Sequence, residues 1–260
     1  IKQYAAEFPF FQKLRKEGYD GRGVVRLTDA NNLEKAFDVP SVLEKLIDFE
    51  KEISIIISRN TKGEIAVFPA VELVFNPEVN LVDYLFSPAN ISAEIAQQAK
   101  GIAVHVIESL KMVGLLAVEM FLTKTGQILV NEIAPRTHNS GHHSIEANFT
   151  SQYMQHLRAI LNLHPGNTDI KTPAVMVNLL GEPDFTGDAV YEGIEEVMAM
   201  DGVNIHLYGK TTTKPFRKMG HVTIVDNDLN SAMQKAERVK KILKVKSSVT
   251  PALSKEEGEK

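Results

Sequence analysis

The sequence predicts an α+β protein, and three features carry that prediction. Short apolar runs separated by glycine-bearing turns fill residues 8–75 and again 115–130, as antiparallel strands do. Three longer stretches instead place apolar residues at helical spacing. Finally, Pro165-Gly166-Asn167 punctuates the chain between a larger first part and a smaller second one.

Taken in order, residues 8–14 read as an apolar, aromatic strand, broken by Gly18-Tyr19-Asp20-Gly21-Arg22-Gly23 and resumed as a strand at 24–27. Residues 31–37 suit a short helix with Asn31 or Asn32 as its cap. Strands are expected at 41–47, 52–58 and 65–75, with Asn60-Thr61-Lys62-Gly63 turning between the last two. Residues 92–112 read as a helix with Ile95, Ala99, Ile102, Val106 and Leu110 along one stripe. Strands at 115–122 and 127–130 follow, joined by Thr123-Lys124-Thr125-Gly126, a turn with glycine available for positive φ. A loop at 135–142 leads into a helix at 144–161. Beyond the boundary, 174–180, 203–207 and 220–225 read as strands and 229–243 as a closing helix. Lys240, Lys241 and Lys244 suit the negative end of that helix. The polar, charged residues after Ser247 cannot bury enough surface to order themselves. The expected division is therefore 1–165, 166–246 and a tail at 247–260, with no internal repeat.

Composition narrows the function. A chain of 260 residues can bury a sizeable core, and 43% hydrophobic with 24% charged residues is ordinary for a globular protein. A formal charge of −4 argues against bulk nucleic-acid binding. The absence of cysteine removes disulfides, thiolate chemistry and cysteine-ligated zinc, and fits a reducing cytoplasm. No apolar run approaches the roughly 18 residues of a membrane helix. The start, Ile1-Lys2-Gln3-Tyr4, has neither a methionine nor a signal-peptide core and reads as the middle of a chain.

The densest chemistry lies in Asn131-Glu132-Ile133-Ala134-Pro135-Arg136-Thr137-His138-Asn139-Ser140-Gly141-His142. It follows a strand, so an acid, a guanidinium, an imidazole and an amide gather near that strand's end. Glu119, on the other arm of the hairpin, would face Glu132. Two close carboxylates repel unless a proton or a cation lies between them, and hard oxygen ligands favour Mg²⁺. The alternative is two exposed glutamates on a hairpin; the apolar Val118, Met120, Ile133 and Ala134 around them speak for a packed hairpin instead. Arg136 is a planar fork suited to bicarbonate or phosphate. His138-x-x-x-His142 has zinc-like spacing but lacks a third ligand. A helix-capping loop, with Asn139 and Ser140 as caps, is the structural alternative.

Two weaker motifs accompany it. The glycines of the 18–23 loop would let backbone N–H groups approach phosphate oxygens, although a glycine hairpin turn explains them equally well. Lys13, on the preceding strand, could bring a point cation to the same phosphates or simply be solvated. Tyr208-Gly209-Lys210 and Lys214-Pro215-Phe216-Arg217-Lys218-Met219-Gly220-His221 form a basic hairpin whose separated cations suit a phosphate dianion.

The acidic hairpin resembles the metal-binding hairpin of ATP-grasp ligases. The Asn-Glu-Ile-Ala-Pro-Arg-x-His-Asn-Ser-Gly-His run and the 208–221 motif resemble, among them, the 5-(carboxyamino)imidazole ribonucleotide synthetases of purine biosynthesis. The resemblance runs from Lys13 to about His221, with the motifs in the family's order. It implies an ATP-grasp fold followed by a small C-terminal α/β domain, with a nucleotide-fold domain expected before Ile1 and missing here. It implies ATP bound by Lys13, Gly18, Tyr19, Asp20, Gly21 and Gly23, with Glu44 on the adenine side and Glu52 on the ribose. It implies two Mg²⁺ ions on Glu119 and Glu132, and bicarbonate as co-substrate without biotin. Arg136, His138 and Asn139 would line the pocket where carboxyphosphate meets the amine. Lys210, Arg217 and Lys218 would hold the 5′-phosphate of aminoimidazole ribonucleotide. A cytoplasmic homodimer, linked in function to the mutase that uses its product, is implied too. Thr137 and His143 stand where proline and tryptophan are associated with many relatives, which touches the pocket's details. Another ATP-grasp ligase, such as the formate-using glycinamide ribonucleotide transformylase, and a non-catalytic nucleotide-binding module are the alternatives.

Overall fold

The computed structural model describes residues 8–16, 23–76 and 81–248. The calls on Gly18, Tyr19, Asp20 and Gly21, and the tail beyond Ser248, lie outside the described residues.

In chain order the strands are β1 (Phe10–Leu14), β2 (Val24–Leu27), β3 (Ser41–Lys45), β4 (Phe49–Arg59), β5 (Ile65–Val67), β6 (Val71–Asn76), β7 (Leu81–Ser87), β8 (Gly114–Thr123), β9 (Ile128–Ala134), β10 (Ala174–Leu180), β11 (Gly187–Glu192), β12 (Val203–Leu207), β13 (Thr212–Thr213), β14 (Lys218–Val225) and β15 (Lys244–Ser247). The helices are α1 (Ala93–Ser109), α2 (Ser144–Ala147), α3 (Gln152–Ile160), α4 (Ile194–Met198) and α5 (Leu229–Ile242). A nine-stranded sheet of order β12-β14-β10-β7-β6-β4-β8-β9, with β5 on β4, runs through the molecule. Small sheets of order β2-β1-β3 and β13-β11-β15 flank it. The α+β class is as the sequence predicts, and the large sheet continues across the 165–167 boundary because β10 pairs with β7.

The central strands decide where chemistry can sit. Residues 52–58 of β4 and 114–120 of β8 are buried without interruption, so both faces of the sheet are covered there. Alternation then sorts the side chains. Ile53, Ile55 and Ile57 of β4, with Leu116, Val118 and Met120 of β8, pack against Ala99, Ala103 and Ile107 of α1 in one apolar core. The opposite face carries Glu52, Ser54 and Ser58 from β4 and Glu119 from β8, all buried. One face is therefore wholly apolar, while the other mixes these polar groups with a smaller apolar cluster of Ile56, Phe68, Leu115, Ala117 and Ala134. A second core forms where Ala232, Ala236 and Val239 of α5 cover Val175, Val177 and Leu179 of β10 and Val222 and Ile224 of β14.

Several local expectations need correction. The first short helix is 3-10, Ala30–Lys35, and its cap is Asp29, whose carboxylate accepts from the Asn31 N–H at 2.7 Å. An acceptor two residues before Asn31 wins because it reaches the orphan N–H directly. The strand expected at 65–75 is split into β5 and β6 by Phe68-Pro69-Ala70, since proline cannot donate to a ladder. The helix expected at 144–161 is split into α2 and α3: Asn148 leaves the helix to bridge Ile170, and Ser151 caps α3 through Met154 N–H. On α1, capped by Ser92, the fully buried stripe is Ala99, Ala103 and Ile107, while Leu110 is 53% exposed. Strands β7, β11, β13 and β15 and helix α4 have no counterpart in the sequence reading.

Candidate active site

The hairpin of β8 and β9 turns at 123–126, where Gly126 takes φ 80°. Its register sets Glu119 opposite Glu132, as the sequence suggests. Immediately beyond, the register slips, Met120 facing Val130, so Asn131 is the extra residue of a β-bulge. A bulge lets two successive residues serve one side. Asn131 reaches Glu52 through its amide nitrogen at 3.3 Å, and Glu132 joins Glu119.

Glu119 is buried, Glu132 exposed and His138 between; one ligand atom from each lies within 4.8 Å of the others. Among the described residues this is the only such grouping of His, Asp and Glu. His142 is not part of it, so the zinc-like His138-x-x-x-His142 spacing gathers no ligand set. His138 Nδ1 sits 2.9 Å from Ser140 Oγ and 3.5 Å from Glu119 Oε1. Its ring is partly committed to the loop, which leaves the carboxylates as the hard donors, and these fit Mg²⁺. The hairpin is less enclosed than its apolar neighbours suggest, because Val130 and Ile133 are 45% and 41% exposed.

Burial and mutual repulsion oppose the charge of these acids. Burial pushes Glu119 up to about 8, with Glu132 and Glu52 adding repulsion, while Lys218 and Arg136 pull it back. Burial likewise pushes Glu52 up to about 7, opposed by the Asn131 hydrogen bond. Three carboxylates thus share a pocket that rewards protons or a divalent cation. A pH dependence follows. Both folded pKa values are raised, so the folded state holds more protons than the unfolded chain between about 4.5 and 8. The contribution of these two acids to stability therefore falls as pH rises through that window. Added Mg²⁺ takes the protons' place, so its increment in melting temperature is expected to be larger at pH 8 than at pH 5. Thermal unfolding with and without Mg²⁺ measures it; an increment independent of pH would detach these acids from metal binding.

Around the acids stand the other expected residues. Lys13 on β1 pairs with Glu44 on β3 at 2.7 Å and donates to Asn131 Oδ1 at 3.3 Å. A polar chain Glu44–Lys13–Asn131–Glu52 therefore ties the small N-terminal sheet to the acid pocket. Glu52 accepts from Asn131 and lies within electrostatic reach of Glu119, Glu132 and Lys13. Gly23 has φ 76° at the start of β2, a conformation glycine adopts without strain.

The loop after β9 is held from below. Gln152 accepts from His138 N–H and donates to the His138 carbonyl, at 2.9 and 2.8 Å, and Ser140 Oγ lies 2.9 Å from Ser54 Oγ. The loop forms a 3-10 turn, Asn139–Gly141, capped by the His138 side chain rather than by Asn139 or Ser140. Asn139 Oδ1 is buried without a partner among the described residues, and Arg136 is exposed, donating to the Thr137 carbonyl. His143 is 1% exposed, and burial keeps its imidazole neutral, down to about 4.

The distal cations divide. Lys210 donates to the Lys218 carbonyl and lies over the Tyr208 ring, and Lys218 acts electrostatically on Glu119 and His142. Arg217 instead donates to the Thr212 carbonyl and hydroxyl at 2.8 and 3.0 Å. Asn131, Gln152 and Ser54 escaped the sequence reading. Asn131 stood inside the quoted motif; Ser54 interrupts an isoleucine alternation, which is a readable signal. Gln152 had none.

The ATP-grasp domain model matches residues 2–153, and the phosphoribosylaminoimidazole carboxylase C-terminal domain model matches residues 174–235. An N5-carboxyaminoimidazole ribonucleotide synthase of Bacillus subtilis is 38% identical over 231 residues, 86% of this chain and 59% of the relative. The crystal structure of N5-carboxyaminoimidazole ribonucleotide synthetase from Thermotoga maritima is 47% identical with a TM-score of 0.87, covering 95% of this chain and 65% of that one. A structure from Aspergillus clavatus, in complex with ADP and 5-aminoimidazole ribonucleotide, is 29% identical with a TM-score of 0.81, covering 92% and 64%. The chain spans about three fifths of the length of the N5-carboxyaminoimidazole ribonucleotide synthases it matches, and about two fifths of that of the phosphoribosylaminoimidazole carboxylases. Among the described residues no helix is long and apolar enough to cross a membrane. With an ATP-grasp domain followed by that C-terminal domain, the chain belongs to the N5-carboxyaminoimidazole ribonucleotide synthetase family of ATP-grasp proteins.

Proposed function

We propose that the protein containing this chain carboxylates 5-aminoimidazole ribonucleotide with bicarbonate at the expense of ATP, through carboxyphosphate. The observation that supports this most is the Glu119–Glu132 pair beside His138, set between the Lys13 chain and the cations at 210–218. Lys13 and the loop from Gly18 through Tyr19, Asp20 and Gly21 to Gly23 take the triphosphate; Glu44 takes the adenine side and Glu52 the ribose. Glu119 and Glu132 hold two Mg²⁺ ions, which neutralise phosphate charge when bound. A bicarbonate oxygen, oriented by Arg136, bonds to the γ-phosphorus as ADP leaves. The exocyclic amine then bonds to the carbon as phosphate departs, in a pocket bounded by His138 and Asn139. Lys210, Arg217 and Lys218 grip the ribonucleotide phosphate, and that remote binding positions the amine.

We keep the division at residues 165–166, the homodimer, the cytoplasmic location and the functional link to a mutase as parts of the same reading. Phosphate release tests it. The full-length protein with ATP, Mg²⁺ and bicarbonate is expected to release phosphate when aminoimidazole ribonucleotide is added. Stimulation by glycinamide ribonucleotide with formate, and none by aminoimidazole ribonucleotide, would reassign the reaction within the ATP-grasp ligases.

A further inference from the structure

A column of three imidazoles joins the loop after β9 to the far strands of the large sheet. His221 on β14, 2% exposed, is its middle member. His142 stacks on it at 4.6 Å and 24°, and His206 of β12 at 4.5 Å and 11°. The strand register brings two of the rings together, because His206 and His221 are directly opposed on antiparallel neighbours. Gly220 allows the strands to come so close: a Cβ there would collide with the His206 carbonyl oxygen.

Each end of the column is tied to a different part of the site. On the loop side, His142 Nδ1 lies 3.0 Å from the amide nitrogen of Gln152, the residue that holds the His138 backbone. On the strand side, His221 Nδ1 lies 3.1 Å from the Tyr208 hydroxyl, and the Lys210 ammonium sits over the Tyr208 ring, 5.6 Å from its centre. A second tie runs beside the first: His206 Nε2 is 2.8 Å from Glu146 Oε1 on α2, which follows the same loop. Contacts therefore run without a break from His138 through Gln152, His142, His221 and Tyr208 to Lys210. Burial keeps His142 and His221 neutral, down to about 4 and about 3, so no ring charge pushes the column apart.

We propose that His221 is a positioning residue, whose stacking with His142 and His206 fixes the loop that handles carboxyphosphate relative to the strands that grip the ribonucleotide. This rests on the reading above, and His221 acts through its neighbours rather than on the reacting atoms. The chemistry supplies the need. Carboxyphosphate forms at one end of the cleft and the amine is delivered from the other. An amine held out of place leaves the intermediate to water, which returns it to bicarbonate and phosphate, so ATP is spent without product. A displacement of about 1 Å can cost about a hundredfold in such a step. Close-packed buried rings resist that displacement because they have no empty space to move into.

The test reads the ratio of ribonucleotide carboxylated to phosphate released in the full-length protein. His221→Leu removes the middle ring and is expected to lower that ratio about tenfold or more, while phosphate release itself persists. His221→Phe keeps a planar ring in the column and is expected to hold the ratio near the parent's. His142→Leu breaks the same stack from the loop side, so the double variant is expected to be no worse than the worse single one. An unchanged ratio in His221→Leu, equal losses in Leu and Phe, or losses that multiply in the double variant would each overturn the proposal. Melting temperatures check the fold; where His221→Leu does not fold, His142→Leu against His142→Phe makes the same comparison. A second arm needs no turnover. Amide hydrogen exchange at residues 138–142, without substrates, is expected to be about tenfold or more faster in His221→Leu than in the parent or His221→Phe. Unchanged protection there would sever the link. A parent protein that carboxylates no aminoimidazole ribonucleotide refutes the reaction, and the exchange arm still decides whether the column holds the loop.

Discussion

Glu119→Gln and Glu132→Gln are each expected to abolish ATP turnover while leaving the fold intact. The two carboxylates are cross-strand partners, and they are the hard donors of the pocket. Replacing either with an amide removes an anionic ligand from cations that must neutralise transferring phosphate. A contribution of several kcal/mol corresponds to a loss of about a hundredfold or more in kcat. The accompanying stability result is what makes the pair diagnostic. Glu119 is 8% exposed and held above its ordinary carboxylate range by burial. Its amide variant removes a buried charge, so without Mg²⁺ it is expected to melt no lower than the parent at pH 8. Glu132 is exposed, and its substitution is expected to be thermally silent. Near-parental phosphate release in either variant would end the metal assignment; collapse of the fold in both would make the pair structural.

Lys210→Ala and Arg217→Ala are expected to raise the KM for aminoimidazole ribonucleotide by about tenfold or more and to leave that for ATP nearly unchanged. A hydrogen bond to a charged group is worth about 1.5–3 kcal/mol, so losing one of the cations that grip the phosphate corresponds to about tenfold or more in affinity. In this structure Lys210 already spans to the Lys218 carbonyl, whereas Arg217 donates to Thr212. Arg217 must therefore exchange its Thr212 bonds for the phosphate, and part of its gain offsets that loss. The Lys210 variant should accordingly show the larger rise. Steady-state kinetics with each substrate varied in turn measures this. Equal weakening toward ATP and ribonucleotide would place both cations in one shared site and discard the assignment.

Much of this was legible in the sequence. The Thr123-Lys124-Thr125-Gly126 turn fixes the β8–β9 register, because loop length and a glycine at positive φ determine which residues face each other. That register alone would set Glu119 opposite Asn131; the bulge at Asn131 brings Glu132 there instead. Helix α1 was readable from apolar spacing and α5 by the lysines at its end, while their caps, Ser92 and Asp228, come from the structure. The 131–142 run announced its chemistry through residue types alone. What the sequence could not determine depends on contacts between distant segments. Whether residues 144–161 make one helix or two is settled by Asn148, whose backbone finds a better partner at Ile170 than in the next turn. Strand β7 forms because β6 and β10 offer it two edges, and its seven residues carry no local signal strong enough to reveal that. The bulge at Asn131, the Gln152 clamp beneath the loop and the histidine column are likewise tertiary, joining residues 14 to 79 positions apart. Their physical reason is common: a buried donor or acceptor must find a partner, and only the folded chain determines which one is within reach.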